Sequence, residues 1–133
     1  MREILFRGKQ VDNGEWVYGS LLKQAGEYIS KDEVTPDECW ICGMRGEKAL
    51  IVSETIGQYT GLKDLHGTRI FEGDVVKSIA AWYVVEFENG GYGLRPFGKG
   101  KLIPIMGHGN FNENEVEVIG NVYDDVNLLE GEK

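Results

Sequence analysis

The chain has 133 residues, a one-domain size, and its 41% hydrophobic and 11% aromatic content is too high for a disordered segment. Lys and Arg number 14 against 22 Asp and Glu, a net charge of −8, which disfavours wholesale wrapping of DNA because phosphate neutralisation needs excess positive charge. Nineteen glycines beside three prolines imply tight turns between short strands, and composition by itself states no activity.

Near the N-terminus the apolar run Ile4-Leu5-Phe6 is far shorter than the roughly 7–15 residues of a secretory signal. Residues 79–85 form the longest apolar run, well short of the ~20 that a membrane span needs. Two cysteines are too few for a disulfide framework. A cytoplasmic, reduced protein with no membrane association is the expectation.

Strand signals dominate in chain order. Residues 3–9 and 15–23 flank the turn cluster Asp12-Asn13-Gly14 and predict an N-terminal β-hairpin, with Trp16, Tyr18 and Ser20 on one face and Val17, Gly19 and Leu21 on the other. After the Ala25-Gly26 turn, Tyr28 and Ile29 predict a short return strand. Thr35 and Glu38 have capping-box spacing around Pro36, which predicts a short helical turn near 35–42, stopped by Gly43 and Gly46. A strand is expected at 49–53, a loop at 57–61, and a type I turn at Asp64-Leu65-His66-Gly67. Ile70 to Val76 enters a strand through a Gly73-Asp74 corner. Residues 82–88 alternate cleanly, Asn89-Gly90-Gly91 is the best hairpin turn, and 92–97 is the return strand. Pro104 places the strand at 101–106 on an edge or bulge. A polar loop at 108–114, a last strand at 115–123 and an acidic tail at 125–133 complete the chain. The expected fold is mainly β: a small barrel or sandwich, with SH3-like barrel elements in the C-terminal half. One domain over 1–133 is expected, comprising an N-terminal hairpin and variable insertion (1–52), a β core (53–124) and the tail.

Three stretches carry a resemblance. Ile56-Gly57-Gln58-Tyr59-Thr60-Gly61-Leu62-Lys63-Asp64 continues to Gly67 and Ile70-Phe71-Glu72-Gly73-Asp74-Val75-Val76. Ile4-Leu5-Phe6-Arg7-Gly8-Lys9 precedes Gly14 and Trp16-Val17-Tyr18-Gly19. Glu117-Val118-Ile119-Gly120-Asn121-Val122-Tyr123-Asp124 precedes Leu128-Leu129. In these strings the chain resembles the YopX family across most of its length. The resemblance implies a mainly β protein encoded by a phage or prophage, largely uncharacterised, with no catalytic residues to carry over. Residues 31–48 depart from the family pattern and look like an individual insertion.

Candidate sites are few. Cys39-Trp40-Ile41-Cys42 has the spacing of a redox pair or of half a zinc site, but a thioredoxin-type motif wants a βαβ setting, and only His66 and His108 remain as histidine ligands. Ordinary reduced cysteines are expected, with no metal and no cofactor. Gly93 to Lys99 matches the first seven positions of a P-loop, but Gly100 replaces the required Ser or Thr and no helix follows. Arg95, Lys99 and Lys101, interleaved with Tyr92 and Phe97, could track a single-stranded backbone while bases stack; a solvated hairpin end is the plainer explanation. Asp64 and Asp74 are expected to fix turns rather than to act as an acid–base pair. Trp40, inside the insertion, would mark a contact surface if exposed. These readings favour a non-enzymatic accessory protein that binds a host or phage macromolecule, with protein the expected partner and a homo-oligomer the expected state. The alternative is a nucleic-acid-binding small β-barrel using the basic hairpin 92–101.

Overall fold

A computed structural model describes residues 3–79, 81–88, 90–96, 101–104 and 115–124. The chain divides into two compact units, residues 3–58 and 59–133.

In the first unit, β1 (Phe6–Lys9) pairs antiparallel with β2 (Trp16–Gln24). After a two-stranded excursion, β3 (Tyr28–Ser30) and β4 (Glu33–Val34), the chain returns as β5 (Glu38–Cys42) against β2, and β6 (Lys48–Ile51) pairs with β5. The sheet order is thus β6-β5-β2-β1. An isolated bridge, Gln10 to Ile51, joins the end of β1 to β6, with the N–H of Val11 donating to Leu50 O and that of Val52 to Lys9 O, both at 2.9 Å. The sheet therefore curls, and its two faces are unlike. Cross-strand partners share a face: Gly8 with Val17, and Leu21 with Ile41 and Ala49, line the inner side, where Ile41 and Ile51 are 1% and 4% exposed. The other side carries Trp16, Tyr18, Leu22 and Trp40, the alternation that the sequence predicts for β2.

The helical turn expected near 35–42 is absent; the segment contains strand β5 instead. Thr35 does have a capping role, but toward the opposite strand: its Oγ1 accepts the N–H of Glu27 at 2.5 Å. Strand β5 pairs with a neighbour on each side, and two ladders of hydrogen bonds outweigh two helical turns.

Strand β7 (Gly57–Lys63) crosses the boundary between the units. Gly57 and Gln58 pair with Arg7 and Phe6 in the first unit, while Tyr59 and Lys63 pair with Phe71 and Arg69 of β8 (Arg69–Phe71) in the second. Residues 57–61 are accordingly strand, not the expected loop. Gly57 is buried, and the glycine at 61, with φ of 91°, sits within an irregularity of the ladder between Tyr59 and Lys63.

The second unit continues with β9 (Asp74–Lys77), β10 (Trp82–Glu88), β11 (Gly91–Pro96), β12 (Ile103–Pro104) and β13 (Glu117–Asn121). Their order is β12-β11-β10-β9-β13, a meander whose last strand returns beside its first. That order suits the SH3-like elements expected, although the described strands form an open sheet rather than a closed barrel. Pro104 lies on the edge strand, as its missing N–H demands. The core is Ile70, Val76, Val85, Leu94 and Val116.

Candidate interaction surface

Two polar clusters in the second unit prove to be structural. Asp64 is only 6% exposed, and its carboxylate accepts three backbone N–H groups at 2.9 Å: His66 and Thr68 on Oδ1, Val118 on Oδ2. Burial alone would push this carboxyl up, but the N–H groups of Val118, Thr68 and His66, helped by the His66 charge, outweigh it and hold the group below its ordinary value of 3.8. Asp74, 1% exposed, accepts the N–H of Phe71 at 2.7 Å. Both carboxylates fasten backbone. His66 meets Glu117 at 3.0 Å on the surface. Among the described residues, no three His, Cys, Asp or Glu side chains gather closely enough to hold a metal ion.

The Cys-x-x-Cys spacing loses its chemical meaning on a strand. Cys39 and Cys42 stand three residues apart on β5, about 10 Å at 3.3 Å per residue and on opposite faces, whereas a disulfide needs Cα atoms about 4.4–6.8 Å apart. Both thiols are free. The P-loop-like stretch fares the same way, because Gly93 lies within β11 between two pairing neighbours.

The basic hairpin is partly spent. Arg95 donates to Glu86 at 2.9 Å and to Glu88 at 2.6 Å, pairs that raise the guanidinium pKa further. Tyr92 packs edge-on against Phe87 at 5.0 Å, and Lys101 is exposed. Phe97 and Lys99 lie outside the described residues, as do His108, the polar loop 108–114 and the tail 125–133.

Trp40 is half-buried on the outer side of the curled sheet, with Lys48 Nζ 5.3 Å from its ring. Its indole N–H is buried without a hydrogen-bond partner, beside a groove of about 270 Å³ that is also lined by Val11 and Leu50. On the same side, Trp16 lies under Arg7 and Lys9 at 4.7 and 5.6 Å. Tyr18 and Leu22 there are 50% and 46% exposed.

An exposed apolar cluster lies where the sequence predicts only a plain return strand at Tyr28 and Ile29. Beyond the last β2–β5 pair, Gln24 with Glu38, residues 25–37 project as a tongue. Its root is built from its own residues: the N–H of Gly26 donates to Asp37 Oδ1 at 2.7 Å, and that of Thr35 to Glu27 O at 2.8 Å. A Cβ on Gly26 would lie 1.7 Å from the Thr35 carbonyl oxygen, so only glycine permits this closeness. The Gly26 N–H and, less strongly, Lys23 at 3.6 Å hold the Asp37 carboxyl below 3.8 against a modest opposing effect of burial. Further out, Tyr28 and Val34 face each other across β3 and β4, and Ile29 is the extra residue of a bulge. They are 71%, 59% and 57% exposed, and no other described strand pairs with either β3 or β4.

A family model described as "YopX protein" matches residues 5–130. The chain belongs to the YopX family. This YopX-family chain is also similar to a solved structure, the crystal structure of protein EF1440 from Enterococcus faecalis, at 18% identity and a TM-score of 0.49, covering 97% of this chain and 99% of that one. No curated protein matches it. Among its described residues, no helix is long and apolar enough to cross a membrane.

Proposed function

We propose that the chain is a non-enzymatic accessory protein of a phage or prophage that acts in the host cytoplasm by binding another protein through the tongue at 25–37. The observation that carries this reading is the exposure of Tyr28, Ile29 and Val34 together on an arm too small to bury them. A two-stranded hairpin does not hold itself together in water by an apolar face of its own, so large side chains placed there gain from a partner. Aromatic and aliphatic anchors on a projecting element are the usual energetic centre of a protein interface. The half-buried Trp40 and the exposed Leu22 and Tyr18 lie on strands β2 and β5, from which the tongue springs. The nucleic-acid alternative is weakened by the two carboxylates already matched to Arg95.

The test is capture from nuclease-treated host lysate by the intact chain and by the double variant Tyr28→Ser, Val34→Ser. A specific protein retained by the unsubstituted chain and reduced at least ~10-fold by the variant is expected, a loss typical of removing interface anchors. The variant's melting temperature should be unchanged, since neither residue is in a core. Equal retention by both chains would overturn the reading.

A further inference from the structure

From the charge on the tongue we infer that its partner is a protein presenting an apolar groove with a basic rim; this rests on the tongue being the docking element. Residues 25–37 hold Lys31 against Glu27, Asp32, Glu33 and Asp37, a net charge of −3 within one small projection, and Glu38 follows at its root. All six side chains are exposed. Along the chain the carboxylates flank Tyr28, Ile29 and Val34, so the arm carries an apolar patch edged with net negative charge. A projecting arm is convex and fits a concave site, whose floor must be apolar to take these three side chains. Its rim must be positive, because like charges set against each other across an interface cost several kcal/mol while opposite ones steer encounter.

The same charge decides between occupants. A second copy seated tongue on tongue would oppose two surfaces of −3, and a polyphosphate backbone would be repelled outright. Lys31 and Asp32 form the turn at the very tip and offset each other, and Glu33, paired with Ser30, leaves the end of the arm net negative.

The experiment uses the captured partner, purified, with association and dissociation rates followed by surface plasmon resonance at rising salt. Raising ionic strength toward 1 M, where the Debye length is about 3 Å, should slow association at least ~10-fold. The variant Asp32→Lys, Glu33→Lys should slow association ~10-fold at low salt and flatten the salt dependence, with dissociation little changed. Tyr28→Ser should instead speed dissociation at least ~10-fold. A partner lost with Tyr28→Ser but indifferent to salt and to the charge reversal would overturn the inference and leave the tongue as the docking element. A partner bound equally by all variants, or no partner at all, would overturn both. Faster association after charge reversal, or concentration-dependent dimerisation in sedimentation that Tyr28→Ser abolishes, would assign the surface to nucleic acid or to a second copy and overturn the inference.

Discussion

Replacing Asp64 by alanine is expected to destabilise the protein by about 3–5 kcal/mol, because three backbone N–H groups lose one shared acceptor and each unsatisfied buried donor costs about 1–3 kcal/mol. The carboxylate ties the turn at residues 64–68 to the start of β13 through Val118, and the turn adds its own bonds: the N–H of Leu65 donates to Val116 O, and that of Gly67 to Asp64 O, both at 3.0 Å. Asn at this position restores one acceptor but points an amide donor at a backbone donor, so it should recover only part of the loss. The pH dependence has a definite sign. Asp64 has a lowered pKa in the folded state, so the folded state binds its proton less readily than the unfolded chain does. Its contribution is complete above the ordinary value of 3.8 and is lost as pH falls through the folded value. Urea titrations from neutral pH downward should therefore show the unsubstituted chain losing its advantage over Asp64→Ala below that value. A constant gap across the range would mean that the carboxylate acts by shape rather than charge.

Gly19→Ala should cost about 3 kcal/mol, the upper end for overpacking. The added Cβ would lie 2.1 Å from the carbonyl oxygen of Cys42 and 2.9 Å from its carbon. Those atoms belong to the backbone of β5, so no rotamer change relieves the contact; β2 and β5 must separate where Ser20 pairs with Cys42. Gly91→Ala is the control, since nothing lies within 4 Å of the new methyl group and the backbone is not left-handed, and it should change stability by less than about 0.5 kcal/mol. Trp16 and Trp40 lie in the first unit and Trp82 in the second, so fluorescence of a Trp82→Phe background reports the first unit alone. In that background Gly19→Ala should lower the denaturant midpoint, and an unchanged midpoint would mean that β5 shifts to accommodate the methyl at little cost.

Where one strand's pattern and one turn's chemistry sufficed, the fold was legible. The alternation from Trp16 onward separates the faces of β2 correctly, Gly90 at φ 83° closes β10 onto β11 with Glu88 opposite Gly91, and Pro104 marks an edge. Errors arose where a local signal had a distant partner. Thr35 looks like a helix cap until its partner is known to be Glu27, eight residues earlier and just before β3. Gly57 and Gly61 look like turn residues, yet Gly57 is a buried position opposite Arg7. The same holds for the candidate interaction surface. Cys-Trp-Ile-Cys drew notice by its letters, but a strand sends the two thiols to opposite sides. Tyr28 and Ile29 read as one more short strand because their exposure depends on which neighbours the chain fails to supply. A clue was nonetheless present in the crowding of five acids around three large apolar residues between Glu27 and Glu38, a composition poorly suited to a core.

The root of the tongue also bears on how such a protein diversifies. Gln24 and Glu38 are register partners, so the points where the projection leaves and rejoins the sheet lie about 5 Å apart, a gap that a two-residue hairpin turn bridges. Everything between them is fastened by Gly26, Glu27, Thr35 and Asp37, all inside the excised segment. The segment is thus a cassette: replacing residues 25–37 with Asn-Gly should leave a folded hairpin, and a foreign projection should be grafted at the same two points. On the proposed reading, recognition changes hands by exchange of this one piece while the scaffold stays constant.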